Sequence, residues 1–328
     1  MKTTLPLTLA AFILAPAALA NDGVASVSAG GIVFGKTDAI AMKKEVLNVS
    51  HKLISVDYEF LNESGNDVEE TIVFPLPAYP AAQQVSDSYY GQPNGFKIMV
   101  DGKPVAFTSQ LAAFAPDGTD VTAQLKKLGL SNAQIAHSTG FDTSVTKVPD
   151  FSEKQYKQLA KLGLMGTDNG SHEPAWTVQV NYVWKQKFPV GQVVRVHHAY
   201  RPFYAGGPGM SVMYEGFGKT YCTDDAYLNA RAKVEERKQY IDTRNVSYIL
   251  KTGNTWKRGI EDFTLNIIKG KPDELISLCF PGKFKKINPT TYQVRLTNFR
   301  PSKDLEVHFG NVEDDGTDSN GVMPVLPK

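Results

Sequence analysis

Apolar and polar residues alternate with a period of two through much of this chain, which is the pattern of half-buried β-strands. Ile54, Val56, Tyr58 and Phe60 alternate with Ser55, Asp57 and Glu59, so that strand turns one face inward. Turn residues fill 62–67, and 70–74 reads as a returning strand stopped by Pro75-Leu76-Pro77, which predicts a hairpin. Phe96, Ile98 and Val100 alternate up to Asp101-Gly102, a tight-turn dipeptide, with 105–108 as the expected return strand. The clearest strand places Trp176, Val178, Val180, Tyr182 and Trp184 on one face and Thr177, Gln179, Asn181 and Lys185 on the other. Pro189-Val190-Gly191 then turns the chain, and Val194, Val196, His198 and Tyr200 form the inner face of an expected antiparallel partner.

The period changes between about 116 and 170. Val121, Leu125 and Leu128 share a helical face before Gly129, and Tyr156, Leu159 and Leu162 share another before Gly163. The echo between 124–130 and 158–164 reads as two lysine-bearing amphipathic helices converging on the same glycine stop. Gly206, Gly207, Pro208 and Gly209 form the best linker candidate. Beyond it Thr223 is placed to cap a helix with Asp224 and Asp225 in its first turn and Tyr227, Ala230 and Val234 on its stripe. Short strands are expected at 246–250, 263–267, 275–280, 292–296 and 305–309, and residues from 312 onward read as a flexible tail. The fold class that results is mainly β. It consists of two antiparallel β-sandwich domains, 21–205 with a helical insertion and 210–311 with one N-terminal helix.

Composition narrows what such a protein does. Lys2 precedes an apolar run over 5–14 and then Ala18-Leu19-Ala20, the pattern of a secretory leader cleaved after Ala20. The run is far shorter than the roughly 20 apolar residues a bilayer crossing needs, so it is a leader and not an anchor. A periplasmic or secreted protein that spans no membrane is therefore expected. The 35 basic and 34 acidic residues nearly cancel, which argues against nucleic acid as a partner. Cys222 and Cys279 are the only cysteines, and in an oxidising compartment a disulfide between them is the economical reading; two buried thiols are the alternative. Closing that 57-residue separation stabilises by roughly 4 kcal/mol in the chain-entropy model.

Several of these segments together resemble the bacterial exported family catalogued as domain of unknown function 4424. They are Asn21-Asp22-Gly23 with Ala29-Gly30-Gly31, the run 56–62, Phe74-Pro75-Leu76-Pro77, Lys127-Leu128-Gly129, the run 221–225, the run 248–256 and Ser277-Leu278-Cys279. Where the family usually has a Gly-Pro-Ile turn after the tryptophan, this chain has Lys257-Arg258-Gly259-Ile260. The resemblance implies an exported protein with a cysteine pair and brings no activity with it. The N-terminal half is also similar to the β-sandwich domain of vault and inter-α-trypsin inhibitor proteins, an interaction module. That similarity implies that the 176–200 segment completes the sandwich begun before residue 110, with the helices inserted.

No catalytic or metal-binding pattern stands out, and no cofactor is implied. His197 and His198 are neighbours on a strand and point to opposite faces, so they do not share an ion. His172-Glu173 lacks the second histidine of a metalloprotease helix. Asp224 and Asp225 would serve as paired acid and base, or simply as acids stabilised at a helix start. Trp256, flanked by Asn254, Lys257 and Arg258, is the candidate recognition surface, where an aromatic beside two cations stacks on a ligand; closing a sandwich end is its other reading. The function that fits is a non-catalytic binding module for an unknown protein or envelope component. The alternative is a secreted hydrolase, glycan-acting, that gathers Asp224, Asp225 and His198 by folding.

Overall fold

The computed structural model describes residues 22–28, 31–82, 96–136, 150–166, 173–206 and 216–314. The leader, His172, the linker residues 207–209 and positions 315–328 lie outside the described residues. In chain order the strands begin with β1 (Gly23–Ser28), β2 (Gly31–Phe34), β3 (Ile40–Val49), β4 (Ile54–Asn62), β5 (Val68–Pro75) and β6 (Tyr79–Pro80). Next come β7 (Lys97–Val100), β8 (Lys103–Pro104), β9 (Thr108–Phe114) and three helices, α1 (Thr122–Lys127), α2 (Asn132–Ala136) and α3 (Glu153–Lys161). They are followed by β10 (Met165–Gly166), β11 (Glu173–Pro174), β12 (Thr177–Phe188), β13 (Val193–Tyr200) and β14 (Tyr204–Ala205). Helices α4 (Phe217–Tyr221) and α5 (Asp225–Glu236) precede β15 (Gln239–Tyr248), β16 (Ile260–Ile268), β17 (Leu275–Leu278), β18 (Lys285–Asn288), β19 (Thr291–Phe299) and β20 (Leu305–Asp314).

The chain is mainly β, as the alternation predicts, and its strands form three principal sheets. One runs β2-β1-β5-β12-β6 with β9 also on β12, one runs β18-β19-β16-β3-β4-β13-β7-β8, and one runs β14-β15-β20-β17. Two expected hairpins are corrected. β4 and β5 do not pair, and neither do β12 and β13: in each case the first strand lies in one of the two larger sheets and the second in the other. Period-two alternation records which face turns inward, not which sheet the strand joins. The loop after β4 is an arch between sheets, held by Asn62, whose side-chain amide donates to Phe188 O at 2.7 Å and Asn66 O at 2.8 Å while its Oδ1 accepts from Ser64 N at 2.9 Å.

The 176–200 segment does complete the strands laid down before residue 110, since β12 pairs with β5 and β13 with β4 and β7. The other face of β12 is solvated only toward its end: Lys185 and Lys187 are exposed, while Val183 packs with Ala25 and Val73 beneath Ile32 and Phe34 of the β1–β2 pair. Asp101-Gly102 turns as expected, with φ of 47° and 76°, both left-handed, but its return strand is Lys103–Pro104 and not 105–108.

Helices α1 and α3 sit where the sequence places them and end in the same way. Leu130 N reaches Leu125 O and Leu164 N reaches Leu159 O, at 3.2 and 2.9 Å, with Gly129 and Gly163 left-handed at φ 78° and 68°. This repeated closure explains the sequence echo without invoking duplication.

Across the expected linker the eight-stranded sheet is continuous. β16 lies beside β3 in parallel register, from Ile260 opposite Met42 to Ile267 opposite Val49. One apolar core holds Val24, Phe74, Trp176 and Phe309 together. Gly206 fits that crossing because a Cβ there would stand 2.0 Å from Thr243 O. The expected tail starts too early: Val312 is buried and pairs with Ile241, so β20 carries the chain to Asp314.

Candidate binding groove

Helix α5 and strand β17 are brought together by the cysteines. Cys222 and Cys279 form the expected disulfide, with Cα atoms 5.0 Å apart. The helix is capped by Asp224 and not by Thr223: the extended backbone of Asp224 lets its carboxylate accept from Tyr227 N at 2.8 Å. Thr223 instead closes α4, its N–H donating to Gly218 O. Ser277 Oγ donates to Tyr221 O at 2.9 Å, a second tie between α4 and β17.

A groove of about 430 Å³ opens beside this stapled junction. One wall is α5, presenting Asp224, Ala226, Tyr227 and Ala230; the facing wall is β17, presenting Leu275, Ile276 and Leu278. Ile267, Tyr292 and Phe284 close the apolar floor from the eight-stranded sheet and the loop before β18. Lys269 is the cation of the groove. Its Nζ stands 5.4 Å from the centre of the Tyr292 ring and donates to Pro272 O at 3.0 Å. Burial lowers the proton affinity of this ammonium, with nearby Glu274 working the other way.

The polar groups in and behind these walls are engaged in holding the fold. Tyr227 OH donates to His308 Nε2 at 2.7 Å and His308 Nδ1 donates to Asn245 Oδ1 at 2.9 Å, which fixes one neutral tautomer. Burial pulls the His308 imidazole down to about 3 and Arg231 adds to the effect, so it stays uncharged. Glu274 is fully buried, accepts from Gly270 N at 2.6 Å and lies 3.0 Å from His51 Nδ1.

Of the residues singled out from sequence, Asp224 lines this groove and the others lie elsewhere. Trp256 is 2% exposed and its ring centre is 4.3 Å from that of Phe60, while its Nε1 donates to Asp22 O at 2.7 Å. This corrects the recognition reading in favour of closure of the sandwich end. Asn254 donates to Pro301 O at 2.8 Å. Lys257 and Arg258 both pair with Glu63, and Arg258 also with Glu261. Those hydrogen bonds hold the Glu63 carboxyl down at about 2.

His198 is fully buried among Tyr58, Phe74, Phe96 and Trp184 and donates through Nε2 to Asp22 at 2.9 Å. His197 faces outward and pairs with Asp57 at 2.7 Å, so the two histidines divide as expected. Asp224 and Asp225 open α5 at the surface, and the fold does not bring them to His198. Among the described residues no three His, Cys, Asp or Glu side chains are placed to hold a metal ion. Lys269, Phe284 and Tyr292 escape sequence reading because they come from separate segments that only the sheet brings beside α5. The cysteines on either side of the groove, with Asp224 next to one of them, are the signals that point there.

Fold and groove together define a mainly-β protein in which a disulfide joins a helix end to a sheet edge beside a mainly apolar cleft. The chain belongs to the family of the domain of unknown function DUF4424, whose model matches residues 20–308. No curated protein matches it. Among solved structures, a putative nutrient binding protein from Legionella pneumophila is similar at 17% identity, covering 84% of this chain and 68% of its own, with a TM-score of 0.41. A two-domain M1 zinc metallopeptidase bound to L-tryptophan aligns at 8% identity over 88% of this chain and 51% of that one, with a TM-score of 0.28. Native yeast LTA4 hydrolase aligns at 8% identity over 83% and 29%, with a TM-score of 0.27. The present chain thus spans about half of the first enzyme and under a third of the second.

Proposed function

We propose that this protein is an exported, non-catalytic binding module, released into the periplasm or medium by cleavage after Ala20, that holds a protein or envelope component in the groove between α5 and β17. The observation that carries this reading is the stapled groove itself. Its about 430 Å³ falls in the range of roughly 300–1,000 Å³ typical of ligand sites. Its walls are mainly apolar, with Asp224, Lys269 and Glu274 as the acidic and basic residues of the lining, and the disulfide sits just outside both walls, at Cys222 before Asp224 and at Cys279 after Leu278. A bond placed there holds the two walls at a fixed separation, which suits recognition by a preorganised surface. The nearby ionisable groups favour binding over catalysis as well, because Asp224, His308 and Glu274 are each committed to a cap or a buried contact.

Ala230→Trp tests this by filling the groove from the helix side. Affinity capture from a solubilised envelope extract, quantified by mass spectrometry, is expected to enrich a component on the intact protein. The Ala230→Trp protein, matched for thermal transition, is expected to lose at least about tenfold of it, the equivalent of about 1.4 kcal/mol. Equal enrichment on both proteins would remove the groove from the account. Turnover of a hydrolase substrate panel, abolished by one polar substitution, would replace binding with catalysis.

A further inference from the structure

Strand β17 is an edge. Among the described residues it pairs only with β20, from Leu275 opposite Gly310 to Leu278 opposite Val307. In an antiparallel pair alternate residues direct their N–H and C=O groups away from the partner. Those outward groups of β17 have no other backbone partner among the described residues. The remaining edges of the eight- and four-stranded sheets are blunted in the ways proteins guard such edges. β18 begins Lys285-Lys286, β8 is the dipeptide Lys103-Pro104 and β14 has only two residues. β17, Leu275-Ile276-Ser277-Leu278, carries neither charge nor proline.

The groove also follows that edge. Successive strand residues point to opposite faces, yet Leu275 and Ile276 both line the groove. It therefore runs along the outer margin of β17 and not over one face of the sheet. At one end stands Lys269 with Tyr292 beneath it; Asp224 at the helix start and the buried Glu274 are the other acidic or basic residues of a lining that is apolar elsewhere.

We propose that the groove takes an extended peptide segment of a partner protein, which adds as a strand to β17, sets alternate apolar side chains against Ile267 and Leu278, and places a carboxylate on Lys269. The proposal rests on the groove being the contact site and adds the chemistry and geometry of its occupant. Main-chain hydrogen bonds would supply the pairing, the apolar walls the choice of side chains, and the lysine the polarity of the peptide.

The test uses the full-length protein and a fluorescein-labelled peptide, Thr-Val-Thr-Val-Thr-Leu-Asp. Saturable binding by fluorescence anisotropy is expected, with those amides of 275–278 that point away from β20 slowed at least about tenfold in hydrogen exchange when the peptide is present. A peptide N-methylated at alternate residues keeps the side chains but loses the outward donors, and is expected not to bind. Ile276→Lys, which gives β17 the guard that β18 already has, is expected to abolish binding. Lys269→Gln is expected to weaken binding about fivefold and flatten its salt dependence.

Equal binding of the N-methylated peptide would overturn strand addition, and loss of envelope capture in Ala230→Trp would then still leave the groove reading intact. Absence of saturable binding would overturn the proposal. So would slow exchange, in the protein alone, of those amides of 275–278 that point away from β20, which would mean that residues 315–328 or a second copy already occupy the edge.

Discussion

Asp22 and His198 meet in the core at 2.9 Å, both fully buried, with aromatic rings around the imidazole. Desolvation raises the Asp22 carboxyl while His198 pulls it back, the balance expected of a buried pair. Removing one partner leaves the other buried and unsatisfied. Asp22→Ala is therefore expected to destabilise by about 3–5 kcal/mol in urea unfolding, and a change under 1 kcal/mol would contradict the pairing. His308 makes a second prediction. Its folded value of about 3 lies below that of an unfolded histidine, so its contribution to stability is complete above about 6.5 and declines as pH falls toward 3. Glu306, raised by burial to about 6, contributes in the opposite sense, most below 4.5 and less as pH passes 6. The unfolding midpoint is expected to fall between pH 6.5 and 4.5, and His308→Asn is expected to flatten that slope; identical slopes would mean that His308 is not the titrating group. At this scale the sequence tells which of His197 and His198 faces inward, because strand geometry dictates it. It does not tell the fate of Trp256, since an aromatic beside turn residues reads alike whether it ends in solvent or in the core.

Among the elements, strand existence and helix ends are the most legible. Alternation locates β4, β12 and β13, and Gly129 and Gly163 mark two helix stops that adopt the same left-handed geometry. What alternation leaves open is pairing, so arches such as the Asn62 loop look like hairpins until the sheets are seen. The groove is hidden for the same reason: α5, β17, Lys269 and Tyr292 come from four segments, and only Cys222 and Cys279 link two of them in the sequence. The disulfide is also where an element-level test belongs. Reduction is expected to lower stability by roughly 4 kcal/mol and to speed exchange of the amides in α4 and the first turn of α5 more than those of β4. Hydrogen exchange with and without reductant measures both effects. Uniform acceleration across all strands would show that the bond braces the whole fold and not this junction.

Over the whole molecule, the parallel pairing of β3 with β16 joins the two halves that the composition of 206–209 suggests separating. Leu265 of β16 is fully buried opposite Leu47 of β3, within one core. Leu265→Ala is expected to cost about 2–5 kcal/mol and to accelerate the slowest amides of β4 and β16 together. Two distinct unfolding transitions, with β4 untouched, would instead mark independent units. A boundary read from glycine and proline records where the chain bends, and a sheet is free to run past such a bend.

The same pairing sets an order of assembly. Residues 42 and 260 stand side by side in the sheet, so β3 lacks a neighbour on one side until more than two hundred further residues have been made. A nascent chain halted before residue 260 exposes the Leu47 and Val49 strand as an open template, and such a strand recruits whatever similar strand it meets. Maturation of this protein is thereby tied to completion of its C-terminal third, with slow, high-contact-order folding and a need for shielding in the interval.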